Sequence, residues 1–71
     1  MPRFCVNRIA QPWSGDHEVH DLGSTKGCVP DFGDRVDLGH HATCRGAVAA
    51  AKELFGDVTG CYYCARDCHT T

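Results

Sequence analysis

Gly60-Cys61-Tyr62-Tyr63-Cys64-Ala65-Arg66-Asp67-Cys68-His69-Thr70 is the stretch that decides how this chain folds, because it is dense in metal-ligating side chains and too polar to be core. Cys61 and Cys64 form a C-x2-C pair behind Gly60, a spacing that lets a tight turn aim two sulfurs at one ion about 2.3 Å away. A tetrahedral site needs two more ligands, and an ion that staples a fold takes them from a distant part of the chain. His20, at the end of an expected strand, and Cys28, in the loop after it, are such a pair. The reading is a Cys3His site built from His20, Cys28, Cys61 and Cys64 and closed around one structural Zn²⁺.

Other residues compete for that role. Cys68 follows Cys64 with three residues between, so a helical turn can bring it back to the same ion in place of Cys28 or His20. Cys44 falls on the apolar stripe of an expected helix and reads as a buried core thiol, although the helix N-terminus favours its thiolate and keeps ligation open. Cys5, in a strand, reads as a packing residue. His17 and His20 are three apart, on opposite faces of a strand, and do not share an ion. His40, His41 and His69 read as exposed, with His69 beside Cys68 available to a second site.

A staple is needed because the chain is short of bulky apolar side chains. Of 71 residues, 42% are hydrophobic, but 6 of these are Cys. Leu, Ile, Val and Phe make up less than the ~20% that marks the border of disorder. Burial alone therefore does not offset an ordering cost of roughly 1.5 kcal/mol per residue. A formal charge of −2 argues against a self-repelling disordered chain. One domain, 1–71, is all that this length accommodates.

Metal and disulfide are the two available staples, and the redox compartment chooses between them. The first residues, Met1 to Trp13, hold no apolar run and no cleavage site of the kind a leader needs. With Met1 as the native start, the expectation is a reducing cytoplasm, thiolate ligands and no membrane span. If a leader had been removed, six Cys would instead allow 15 disulfide pairings. The seven Lys and Arg are scattered singly among nine acids. Without a basic face, nucleic acid is disfavoured as a partner, and so is an anionic membrane surface.

The pattern along the chain is α+β. Phe4–Ile9 suits a strand stopped by Gln11-Pro12, a turn follows at Trp13–Asp16, and His17–Leu22 suits a second, antiparallel strand. Residues 23–34 read as a loop through Cys28, and Arg35–Gly39 as a third short strand. Cys44, Ala47, Val48, Ala51, Leu54 and Phe55 form one helical stripe, giving an amphipathic helix over about 44–55. Thr43 is placed to cap it and Gly56 to end it in a left-handed conformation.

Spacing excludes several chemistries. His17-Glu18-Val19-His20 is not H-E-x-x-H, and the C-x2-C pair lacks the following His of haem attachment. The knuckle comes after the helix, unlike a DNA-reading finger. No carboxylate pair, phosphate loop or Ser-His-Asp set suggests an enzyme. The function expected is a small zinc-binding interaction module, with an unknown protein partner and with Trp13, Tyr62 and Tyr63 as candidate contact residues. The alternative is a thiol redox or metal-handling protein using Cys61 and Cys64. Thiolate ligands favour zinc over calcium or magnesium but also accept iron.

The chain resembles a family of short, uncharacterised bacterial proteins. The resemblance is carried by Val6-Asn7-Arg8-Ile9-Ala10-Gln11, Gly15-Asp16-His17-Glu18-Val19-His20, Cys28, Leu38-Gly39, Cys44 through Lys52, and Gly60-Cys61-Tyr62-Tyr63-Cys64 with Cys68-His69-Thr70. It implies a zinc-stapled fold and no particular activity. Small zinc-binding modules appended to other bacterial proteins are loosely similar in layout and imply the same four ligands. The gap between His20 and Cys28 is longer here than in the family. The eight Cys and His positions of its pattern also allow a second metal held by His17, Cys44, Cys68 and His69.

Overall fold

A computed structural model describes residues 1–70. Its elements are strands β1 (Arg3–Asn7), β2 (His17–Asp21) and β3 (Arg35–His40), helix α1 (Cys44–Lys52) and strand β4 (Val58–Gly60), with short 3₁₀ turns at Phe32–Asp34 and Arg66–Cys68. The fold is the α+β arrangement expected, with one sheet and one helix.

The sheet order is β3-β1-β2-β4. β1 pairs antiparallel with β2 and β3, placing Cys5 opposite His20 and Val6 opposite Val19. β4, which has no counterpart in the sequence reading, runs parallel to β2 and sets Gly60 beside Val19. Three residues are too few for a periodic signal, and Val58-Thr59-Gly60 sits between helix and knuckle where a connector was the default. Its effect is functional. β4 delivers the chain to Cys61 next to the strand that carries His20.

Alternation along β1 and β2 sorts their side chains to two faces. Phe4, Val6 and Val19 form the core with Ala47 and Ala51 of α1 and Val58 of β4, flanked by Val36, Leu38, Cys44, Val48 and Phe55. Cys5 and His20 point to the other face and are buried as well. A turn with Gly15 at φ +74° joins β1 to β2. There Gly15 N–H donates to the Gln11 carbonyl at 2.8 Å.

The elements differ from expectation at their ends. β1 stops at Asn7, leaving Ile9 exposed. α1 begins at Cys44, with the Thr43 hydroxyl accepting from Arg45 N–H, but it ends at Lys52 with Glu53 as a right-handed cap. Leu54 is exposed, and Phe55 lies outside the helix with its ring stacked on His17 at 3.8 Å. Gly56 is not left-handed, since the glycines with positive φ are Gly15, Gly27 and Gly39. The Glu53 N–H reaches the Ala50 and Ala51 carbonyls, so the final turn closes without a glycine. No helix among the described residues is long and apolar enough to cross a membrane.

Candidate metal centre

Four side chains from three segments converge at the end of β2. His20 comes from the strand, Cys28 from the loop beyond it, and Cys61 and Cys64 from the turn after β4; one ligand atom of each lies within 4.8 Å of all the others. Among the described residues this is the one group of three or more potential ligands so placed. The structure therefore brings together the four residues named from sequence, and the group could hold a metal ion.

The dimensions suit a small thiolate-bound cation. Tetrahedral geometry with Zn–S near 2.3 Å and Zn–N near 2.0 Å puts sulfur and nitrogen about 3.5 Å apart along an edge. His20 Nδ1 and Cys64 Sγ are 3.5 Å apart. The imidazole is also in the correct tautomer: Nε2–H donates to Asn7 Oδ1 at 2.8 Å, which leaves the Nδ1 lone pair facing the sulfurs. Glu18 Oε1 is 3.8 Å from the same Nε2, too far to replace Asn7. Burial lowers the His20 pKa to about 4, so the ring is neutral and free to ligate.

The knuckle is shaped by its own amides. Tyr63 N–H donates to Cys61 Sγ and Asp21 N–H to Cys64 Sγ, both at 3.4 Å, while Ala65 N–H returns to the Cys61 carbonyl at 3.0 Å. Gly60 permits the close approach, because a Cβ there would stand 2.7 Å from the Cys68 Cβ. Burial pushes the Cys64 thiol up, and Cys28 and Cys61 add to it against the Asp21 amide. Cys28 is pushed up as well, first by burial, with Cys61 adding to it. Cys28 and Cys64 thus resist ionising here, and a divalent cation would reverse that cost by binding them as thiolates.

The remaining candidates lie elsewhere. Cys44 and Cys68 are joined in a disulfide with Cα atoms 6.2 Å apart, which corrects both their standing as alternate ligands and the reading of Cys44 as a free core thiol. Cys44 opens α1 and Cys68 closes the last 3₁₀ turn, and tertiary packing faces them. The bond also departs from the all-thiol state that a reducing compartment implies. Cys5, Cys28, Cys61 and Cys64 are free, and Cys5 is fully buried with its pKa raised to about 11 by burial.

His17 Nδ1–H donates to the Asn7 carbonyl at 2.9 Å and its ring stacks on Phe55, so it serves the fold. His69 Nδ1–H donates to the Gly60 carbonyl at 3.1 Å. Neither joins Cys44 and Cys68 in a second cluster, because those two sulfurs are bonded to each other. His41 and His69 are half-buried, contrary to their exposed reading, and His41 donates to the Leu38 carbonyl at 2.8 Å. Trp13, Tyr62 and Tyr63 are exposed, with Arg66 over the Tyr62 ring at 4.7 Å.

Sequence reasoning missed the role of Asn7, whose side chain fixes the His20 tautomer across a strand pair; its place in the Val6–Gln11 motif was the available signal, but the motif carried no chemistry that pointed to His20. No family model, curated protein or solved structure matches the chain.

Proposed function

We propose that His20, Cys28, Cys61 and Cys64 hold one Zn²⁺ and that the chain is a zinc-stapled interaction module. The observation that carries this reading is the convergence of one imidazole nitrogen and three thiols within 4.8 Å, drawn from β2, the following loop and the knuckle. Four protein donors fill a tetrahedron and leave no position for water, so the ion's role is structural. It ties the sheet to a C-terminal segment that has little apolar surface of its own. Exposed Trp13, Tyr62 and Tyr63 are amphipathic rings of the type that anchor partners, and they are the candidate contact surface.

Native mass spectrometry of protein purified without added metal or chelator tests the reading. The expected result is one bound zinc, with a cobalt-substituted form showing thiolate-to-metal charge transfer that is lost in Cys61→Ser. A metal-free native mass that stays metal-free on zinc addition would sink it, and bound iron would correct the ion. Thiol chemistry at Cys61 and Cys64 is the weaker reading, because a nucleophilic thiol needs a depressed pKa and Cys64 is shifted the other way.

A further inference from the structure

We propose that the Cys44–Cys68 disulfide is a redox-addressable site, opened by low-molecular-weight thiols, and that its state sets how tightly the adjacent His20/Cys28/Cys61/Cys64 centre holds its metal. The coupling rests on the metal-binding reading above; the disulfide and its surroundings are independent observations.

The bond joins α1 to the segment that supplies two of the four ligands. Cys44 is the first residue of the helix, and Cys68 ends the 3₁₀ turn that follows Cys61 and Cys64. Cys68 also bears on the entry to the knuckle: a Cβ on Gly60, the residue before Cys61, would come within 2.8 Å of the Cys68 carbonyl carbon. With the bond closed, residues 61–68 are held at both ends. Cys61 N–H donates to the Val19 carbonyl at 2.9 Å, and Cys68 is tied to the helix. Opening the bond leaves the second end to the His69–Gly60 and Thr70–Thr59 hydrogen bonds, and the metal must then supply more of the segment's order.

Both cysteines line surface concavities, Cys44 half-buried and Cys68 9% exposed. A surface cavity of about 440 Å³ is lined by Cys44 and by the ligand Cys64, together with Tyr63, Ala65 and Arg66. A second concavity of about 230 Å³ is lined by Cys68, Arg45, Val48, Asp67 and Thr70. Cys5 contrasts with them, since it is free but has no exposed surface. One opening thus serves the disulfide and a metal ligand together.

The step balances with two equivalents of thiol. A thiolate RS⁻ attacks Cys68 Sγ, the Cys44–Cys68 bond breaks, and Cys44 leaves as a thiolate in the first turn of α1, where backbone N–H groups favour negative charge. A second thiolate attacks the R sulfur of the mixed disulfide, forming RS–SR and releasing Cys68 as a thiolate. Two electrons pass from the two thiols to the protein disulfide, and their protons finish on Cys44 and Cys68.

Zinc titration of the oxidised protein and of Cys44→Ala/Cys68→Ala, in competition with a chromophoric chelator, tests the coupling. Both should bind one zinc, the variant about tenfold more weakly because ordering the knuckle now opposes binding. Equal affinities would overturn the coupling and leave the metal centre intact, whereas no binding by either protein would remove the metal reading and the coupling together. Zinc-loaded wild type in glutathione supplies a test that needs no variant. Intact mass should rise by two hydrogens, iodoacetamide should then label Cys44 and Cys68 but not Cys5, and zinc should pass to the chelator faster than from unreduced protein. A bond that glutathione leaves closed, or a reduced protein that keeps its zinc equally well, would overturn the proposal.

Discussion

Two regions of this molecule bury their side chains for different reasons. Where the sheet meets α1, the buried set is Phe4, Val6, Val19, Ala47, Ala51 and Val58, all apolar and drawn from four regular elements. Where the sheet meets the knuckle, the buried residues include Cys5 and His20 of the sheet and Cys61, Ala65 and Cys68 of the knuckle, and that segment contains only a single short 3₁₀ turn. Apolar burial stabilises the first region whatever ion is present. The second gathers a polar ring and thiols, and its restraints besides β4 and a disulfide are amide–sulfur bonds and the hydrogen bonds from His69 to the Gly60 carbonyl and from Thr70 to Thr59. Non-directional burial organises one region and directional chemistry the other.

Removing a ligand should break this contrast most severely. Cys61→Ser is expected to weaken zinc binding by more than about 100-fold, because structural-site affinity depends on a complete thiolate set and is coupled to folding. Competition against a chelator measures it, with amide NMR following the disorder. Loss confined to residues 61–70 fits two separately held regions, while collapse of β1 to β3 as well would show that the ion holds the entire domain.

Val19→Ala attacks the other region. Val19 has no exposed surface, and deleting two carbons should cost about 2–3 kcal/mol in urea unfolding of the zinc-loaded protein. Zinc stoichiometry should stay at one. A variant that loses its zinc under native conditions would show that the core positions the ligands more tightly than the comparison allows.

Asn7→Ala probes the seam, since this residue stands on β1 yet orients a knuckle-facing ligand. Losing the Nε2–H acceptor should weaken zinc binding by about 10–100-fold. The His17 bond to the Asn7 carbonyl survives the change. Nitrogen chemical shifts of the His20 ring give the independent readout, with tautomer mixing expected in metal-free Asn7→Ala. Unchanged affinity and an unchanged tautomer would remove Asn7 from the site.

The smallest effect belongs to the exposed pair that ties β1 to the edge strand β3. Arg3 donates to both carboxylate oxygens of Asp37 and holds that carboxyl at about 2, below its ordinary 3.8. A depressed carboxylate contributes stability above its unfolded pKa and loses it as pH falls through the folded value. Asp37→Asn should therefore cost less than about 1 kcal/mol near neutrality. The gap between variant and parent urea midpoints should close between pH 4 and 2. A gap that persists at pH 2 would mean the pair acts through something other than charge.

What could be read from sequence tracks the same division. The helix start at Cys44 and its Thr43 cap were legible because apolar spacing and capping chemistry are local. The helix end was not: Leu54 and Phe55 continue the stripe on paper, but the chain turns after Lys52, exposes Leu54 and carries Phe55 onto His17. The four converging side chains were legible because a C-x2-C turn limits which distant donors can complete a tetrahedron. β4 was not, since a three-residue strand is defined by its neighbour β2.

By itself, then, the sequence determined that a chain this poor in bulky apolar residues needs a staple, that Cys and His are the side chains able to supply one, and where its helix begins. Those are consequences of composition and of contacts a few residues apart. Only the tertiary structure decided that Cys44 and Cys68 bond to each other while Cys28 faces the knuckle, and that Asn7 orients His20. Those outcomes depend on which side chains meet across 24 residues from Cys44 to Cys68 and 13 from Asn7 to His20. Residue spacing cannot rank such encounters, because six cysteines offer many pairings of similar local cost and packing alone selects among them.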